Sequence, residues 1–430
     1  MKIELPYSET KVEANIDWAS SVNSLTISEI APLADVNAAL DAAFDDPIAQ
    51  SESVFQRVQP GEQLTIVVSD SFRKTGIDQL LPRFLERMNE RGVKEDDIRF
   101  LVATGVHRGP TPVELDEILG ADIHRRFTDH VHIHDAHDAS THVRVGETSR
   151  GTPVEANKLA VECDRLIVTG SVVLHYFGGF GGGRKSLLPG LCSANTIAHN
   201  HSRNLDEQDN RLDPNVRIGE MDGNPVAEDM LEGALLIGAD CMVNTVLNRN
   251  GDIARIFAGD LEIAHREATT VAKDIFSVPL ETPADLVVAA SANTRNFVQT
   301  HKALYNAFQA AKPNGQIILL APCPEGLGGE QFEKWLRLGS TDEIIRQLRQ
   351  QSEINGQTAL STIEKAQRCI MVTEMSDSDV TKLGAVRAAT LDDALALARE
   401  RLVEDGISES SVITMPEAAY SVPAIPAAAI

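Results

Sequence analysis

The sequence predicts an α/β fold of two domains with mainly parallel sheets, and three observations carry that reading. Short apolar, β-branched runs alternate with helical patterns along most of the chain. They fall into two sets, separated by a proline-containing stretch near 278–283. At 430 residues the chain also exceeds what one hydrophobic core ordinarily serves. The expected division is 1–277 for an N-terminal domain, 278–405 for a C-terminal domain, and 406–430 for a last segment that returns to the first.

"QLTIVVSD" (63–70) is a buried strand, and the helical "DQLLPRFLERMNERG" follows it. "IRFLVATG" (98–105) is the next strand, followed by "TPVELDEILG", in which Thr111 and Glu114 stand at capping-box spacing. "DRLIVTGSVV" (164–173) is a third strand and runs straight into a glycine-rich loop. Loops at the carboxyl ends of parallel strands are where such sheets bind ligands. The second set comprises "ADLVVAAS" (284–291), a helix around "HKALYNAFQAA", "GQIILLAPC" (315–323) and "CIMVTEMS" (369–376). "SSVITMPEAAYSVPAIPAAAI" has strand character and then a Pro/Ala tail expected to fray.

A formal net charge of −24 weighs against nucleic acid or an anionic membrane surface as partner. No apolar run is long enough to span a bilayer. The start, "MKIELPYSETKVEANI", lacks a basic stretch followed by an apolar core, so a cytoplasmic location is expected. The cysteines (Cys163, Cys192, Cys241, Cys323, Cys369) lie far apart without a C-x-x-C pair, which argues against disulfides and a zinc knuckle. An anionic substrate would need a local basic pocket set against the global field.

The loop "HYFGGFGGGRKSLLPG" (175–190) packs six glycines beside an Arg-Lys pair. It is not a P-loop: Arg184 stands between Gly183 and Lys185, which breaks the register, and Pro189 bars the long helix a P-loop needs. So many glycines are costly for a mere turn and suit close approach of a bulky ligand to backbone, with Lys185 a candidate nucleophile. Among the histidines, His107 lies just past a strand, in "ATGVHRGPT". "HVHIHDAHD" would place His130, His132 and His134 on one strand face with His137 nearby, a group read as mainly structural, His134-Asp135 being its best candidate pair for a site. In "NTIAHNHS", His199 and His201 share a face only if the segment is a strand, so one ligand from the pair is expected rather than two.

Together "DSFR" (70–73), "ATGVHR" (103–108), "HDA" (134–136), the glycine loop, "NH" (200–201), "QTHK" (299–302) and "PNGQIILLAPCPEGLG" resemble the lactate racemase family, the nickel-pincer-nucleotide enzymes. The resemblance is collinear over most of the chain. It implies an isomerase with its site in the cleft between the two domains, the first holding the cofactor and the second closing on substrate. It implies a modified nicotinic-acid mononucleotide whose ring carbon and two sulfurs hold nickel, His201 as the remaining nickel ligand, and Lys185 as the residue that can carry a thioamide link to the cofactor. His107 and His175 would be paired acid/base groups, with Arg73, Gln299 and Lys302 on the substrate carboxylate. Asp70 would lie in the phosphate-binding and substrate-side turn and Gly181, Gly182 and Gly183 against the cofactor. Enzymes that make the cofactor are implied as partners.

The chemistry implied is racemisation or epimerisation of a 2-hydroxyacid: one histidine takes the hydroxyl proton, the α-hydride passes to the cofactor, and a planar 2-ketoacid takes it back on its other face. Imidazole gives and takes a proton near neutrality, and Nickel(II) accepts imidazole with soft sulfur donors. The family's "D-x-T-R-P" turn reads "DSFRK" here, with Phe72 and Lys74 departing from it; Val298 replaces a tyrosine, and Arg295 stands where an apolar residue is usual. Lost bulk and added positive charge predict a small anionic 2-hydroxyacid larger or more polar than lactate, such as malate or a sugar acid. The competing reading is a non-catalytic carrier of the cofactor, against which stands the presence of both His107 and His175.

Overall fold

The computed structural model describes residues 1–206, 208–291 and 294–424. They divide into two compact units, one of described residues within 29–204 and 212–275, the other of described residues within 1–28, 205–211 and 276–424.

The first unit is built on a six-stranded sheet. Its order is Ile253–Gly259, Cys241–Leu247, Arg165–Ser171, Leu64–Ser69, Ile98–Ala103, Val131–Ile133. All neighbours are parallel except the Ile253–Gly259 edge strand. The central strands are near-continuous apolar runs because both faces are covered. One cover is the helix Ile77–Glu90, whose Ile77, Leu80, Leu81, Phe84, Leu85 and Met88 recur at helical spacing and are buried. The chain leaves Leu64–Ser69 toward one edge and later returns on its other side as Arg165–Ser171, so a topological switch point lies between these two strands. Three adjacent strands therefore deliver Asp70, the Thr104–His107 turn and the glycine loop at one edge of one sheet.

The second unit carries its own six-stranded, all-parallel sheet. The order is Val386–Ala388, Cys369–Val372, Ala311–Leu320, Ala284–Ala290, Ser410–Met415, Ala19–Ser24. The domain assignment of the chain ends needs correction here. Ser410–Met415 does not return to the first domain; it pairs with Ala284–Ala290. The N-terminal 28 residues belong to this unit as well. The hairpin of Lys2–Tyr7 and Thr10–Asn15 places Ile3, Leu5 and Ala14 in one core with Leu286, Ile318 and Val412. An apolar strand's periodicity states that it is buried, not which sheet buries it, so the sequence could not choose. Val422–Ala424 pairs with Ser277–Pro279, and the remainder of the Pro/Ala tail lies outside the described residues. Among the described residues no helix is long and apolar enough to cross a membrane, and all five cysteines are free thiols.

Candidate active site

Asp70 follows directly on Leu64–Ser69 and is buried at 3% exposure. Its Oδ2 lies 2.7 Å from Nδ1 of His107, and its Oδ1 accepts from the Phe72 amide at 3.2 Å. Asp70 thus orients His107. With Nδ1 donating to Asp70, the working nitrogen of His107 is Nε2, on a side chain 39% exposed. Phe72 packs edge-on against the His107 ring at 4.9 Å, and Arg108 lies over its other side at 5.3 Å. The unusual phenylalanine therefore fills space beside the histidine. Arg73 is exposed, its Nη1 donating to the Phe72 carbonyl at 3.4 Å.

The His107 turn is tied to the glycine loop, since the Gly105 amide donates to the Gly190 carbonyl at 3.0 Å. Two of the loop's glycine amides are paired within the protein. Gly181 N donates to the Val173 carbonyl at 2.8 Å, and Gly183 N donates to Asn244 Oδ1 at 2.8 Å. Those two amides are therefore not free to donate to a ligand. A side chain at Gly182 (φ 70°) would meet Asn244 Oδ1 at 2.3 Å and the Ser171 carbonyl at 2.9 Å. At Gly183 (φ 50°) it would meet the His265 ring at 2.5 Å. Left-handed backbone and a collision with a strand carbonyl together make Gly182→Ala cost about 3 kcal/mol. Thermal or denaturant unfolding of that variant checks this, and unchanged stability contradicts it.

Beneath the loop, Arg184 is 2% exposed. Its Nη2 donates to the Gly178 carbonyl at 2.6 Å and its Nη1 to His265 Nδ1 at 3.3 Å, while His265 Nε2 donates to the Gly181 carbonyl at 2.9 Å. The residue that breaks the P-loop register is a buried brace for the loop. Burial moves the Arg184 guanidinium down to about 10.

Lys185 emerges from this scaffold with Nζ 3.2 Å from Nε2 of His175. Nδ1 of His175 accepts from the Phe177 and Gly178 amides, both at 3.2 Å. The loop thus sets the lysine amine against the imidazole. Tyr176 stacks on His175 at 5.2 Å between ring centroids.

"NTIAHNHS" is helix, Ala194–Ser202, and its two histidines diverge. His199 is exposed and its Nδ1 meets the Asn195 carbonyl at 2.8 Å. His201 is 2% exposed and packs against Phe177 at 4.6 Å. Burial, reinforced by the Lys185 charge and only partly opposed by a hydrogen bond to the Ile197 carbonyl, lowers it to about 3. It is a neutral imidazole at working pH, the form a metal requires.

The histidines of "HVHIHDAHD" do not line one strand face. The strand there is only Val131–Ile133, and His134, beyond it, turns inward. Its Nε2 donates to the Cys192 carbonyl at 3.0 Å and its Nδ1 accepts from Asn157 Nδ2 at 3.2 Å, which is a structural tie between loops. Among the described residues no group of three or more His, Cys, Asp or Glu could hold a metal.

Gln299, Lys302 and Arg295 stand on the second unit, at the start of the helix Phe297–Ala310. Asn296 caps that helix, and Gln299 Oε1 accepts from the Arg295 amide at 3.1 Å. Lys302 is exposed. Arg295 is exposed and paired with Glu325 at 3.9 Å. Sequence reading missed Asn244, His265, Asn200 and Asp229, all buried polar residues with specific partners. No local motif marks the first two; Asn200 adjoins His201, and that adjacency was the available signal.

The model of the lactate racemase N-terminal domain matches residues 7–213, and that of the lactate racemase C-terminal domain matches residues 280–420. Lactate racemase of Lactiplantibacillus plantarum is 32% identical over 417 residues, 93% of this chain and 95% of the relative. Lactate racemase of Thermoanaerobacterium thermosaccharolyticum is 31% identical over 301 residues, 69% of this chain and 68% of the relative. The structure of the latter's apoprotein superposes with a TM-score of 0.85 at 27% identity, covering 99% of this chain and 100% of that one. A Thermotoga maritima protein shares the fold at TM-score 0.68 and 17% identity, covering 93% of this chain and 100% of that one. The chain belongs to the lactate racemase family.

Proposed function

We propose that this protein interconverts the configurations of a small 2-hydroxyacid at its α-carbon, using a nickel-pincer nucleotide. The observation that carries this reading is the delivery of the Asp70–His107 pair and the His175–Lys185 pair by adjacent strands at a topological switch point. The residues fit the cofactor. His201 is buried and neutral, a single imidazole suited to a nickel ion that brings its other donors with it. Lys185, held against His175, can as its free amine link to an acyl or thioacyl carbon. When bound, the cofactor supplies a reversible acceptor for the substrate's α-hydride.

The chain's own residues supply binding and proton transfer. His107 takes or gives the hydroxyl proton at Nε2, and Asp70 stabilises the imidazolium that forms. His175 serves the hydroxyl of the opposite enantiomer. Arg73, Lys302 and Gln299 hold the carboxylate, the guanidinium by a bidentate clamp, so that a ketoacid can turn without leaving. Arg295 and Lys74 favour a substrate with polar or anionic groups beyond those of lactate, such as malate or a sugar acid.

The test is to make the protein with and without the cofactor-synthesis enzymes, measure bound nickel, and follow configuration by chiral chromatography on lactate, malate, phenyllactate and gluconate. Nickel and interconversion are expected only in the first preparation, with malate or gluconate preferred. Lactate as best substrate overturns the substrate class. Nickel bound with no turnover on any acid establishes the carrier reading instead.

A further inference from the structure

We infer that Asn200 and Asp229 are positioning residues that help set which nitrogen of His201 is offered to nickel; the inference rests on the proposed role of His201. Asp229 lies on the helix Pro225–Ile237 and is fully buried. Its Oδ1 accepts from Thr148 Oγ1 at 2.5 Å, and its Oδ2 accepts from Thr152 Oγ1 and from Asn200 Nδ2, both at 2.9 Å. All three donors are neutral. Asn200 is fully buried too, and its Nδ2 makes a second donation, to the Val226 carbonyl at 3.1 Å.

A carboxylate only accepts hydrogen bonds, and so does a carbonyl. With both on one end of the Asn200 amide, that end is the NH2 group and the amide cannot flip. The opposite end, Oδ1, is then an obligate acceptor, and it lies 3.2 Å from His201 Nδ1. Asn200 thereby favours the tautomer of His201 with its hydrogen on Nδ1 and its lone pair on Nε2, alongside the ring's hydrogen bond to the Ile197 carbonyl. Carboxylate, amide and imidazole form a relay in which the negative charge of Asp229 polarises the amide and strengthens the imidazole as a donor to metal, while the two threonines fix the carboxylate. Partners of this kind are worth about 10–100-fold in metal affinity where they have been removed from metal-binding histidines.

The experiment uses cofactor-loaded protein, a chelator challenge, and the rate of nickel release followed by metal analysis and by the visible absorption of the bound complex. Asn200→Ala and Asp229→Asn are compared with wild type and with His201→Ala; melting of each variant without cofactor reports its fold. Both variants are expected to release nickel about 10–100-fold faster than wild type with the nucleotide still bound. Release at the wild-type rate from both, with fast release from His201→Ala, overturns the inference while leaving the ligand role of His201 standing. Wild-type release from His201→Ala overturns the ligand role, and the inference with it. If Asn200→Ala does not fold, Thr152→Val loosens Asp229 with Asn200 in place and is read the same way: faster release supports the relay, and wild-type release overturns it.

Discussion

His107→Gln is expected to slow enantiomer interconversion by roughly 100- to 10,000-fold, the range for removing a positioned acid/base group. Its nickel and nucleotide content should equal that of wild type, because His107 serves the substrate's hydroxyl and not the metal. His175→Gln should be as damaging in both directions, since a racemase needs a proton acceptor on each face of the planar intermediate. Asp70→Asn separates positioning from charge. The asparagine fits the same pocket and keeps a hydrogen-bonding atom beside His107 Nδ1, at present 2.7 Å from the carboxylate. It cannot offset the charge of an imidazolium, so its activity should fall between wild type and His107→Gln, with kcat reduced more than KM is raised. Steady-state kinetics on loaded protein decide this. A His107→Gln variant with wild-type kcat would remove the acid/base role, and an Asp70→Asn variant with wild-type kcat would reduce the pair to packing.

Much of this architecture was legible because it is written locally. The strands of the first sheet are short apolar runs bounded by turn residues, and the Thr111–Glu114 capping box closes as its spacing requires. The glycine loop was legible as special, but its use was not. Gly182 and Gly183 are small because Asn244 and His265, more than sixty residues later in the chain, press against them. Nothing in a window around residue 180 specifies that neighbour. The same holds for Asp229, which meets Thr148 and Asn200 only after folding, and for Ser410–Met415, whose partner strands lie at 284–290 and 19–24. The Asp70–His107 contact was not legible for a related reason: a strand-end aspartate reads equally well as a ligand-side or a histidine-orienting group until the facing side chain is known.

Acid is expected to destabilise the first unit steeply between about pH 6.5 and pH 4, through His134 and His265. Each is buried in a neutral tautomer with both nitrogens committed. His134 Nε2 donates to Cys192 O, and its Nδ1 accepts from Asn157 Nδ2. Asn157 cannot turn to accommodate a protonated ring, because its Oδ1 already accepts from the Leu159 amide at 3.0 Å. His265 Nδ1 accepts from the Arg184 guanidinium, so a proton there would face a cation. Burial is the main cause that lowers His134 from 6.5 to about 4; burial first and then the Arg184 charge lower His265 to about 3. The sign follows from comparing the two states. Above the unfolded value both states are neutral and the full stability is present. As pH falls below it the unfolded chain binds protons that the native state refuses, so stability drops until the folded values are reached. Each histidine contributes on the order of 1.4 kcal/mol per pH unit within that window. Unfolding of the cofactor-free protein at pH 7, 6 and 5 measures the combined slope, and His134→Asn should flatten it. A melting temperature unchanged from pH 7 to pH 5 would show that these imidazoles take up protons in the folded protein, and the tautomers assigned here would then be wrong.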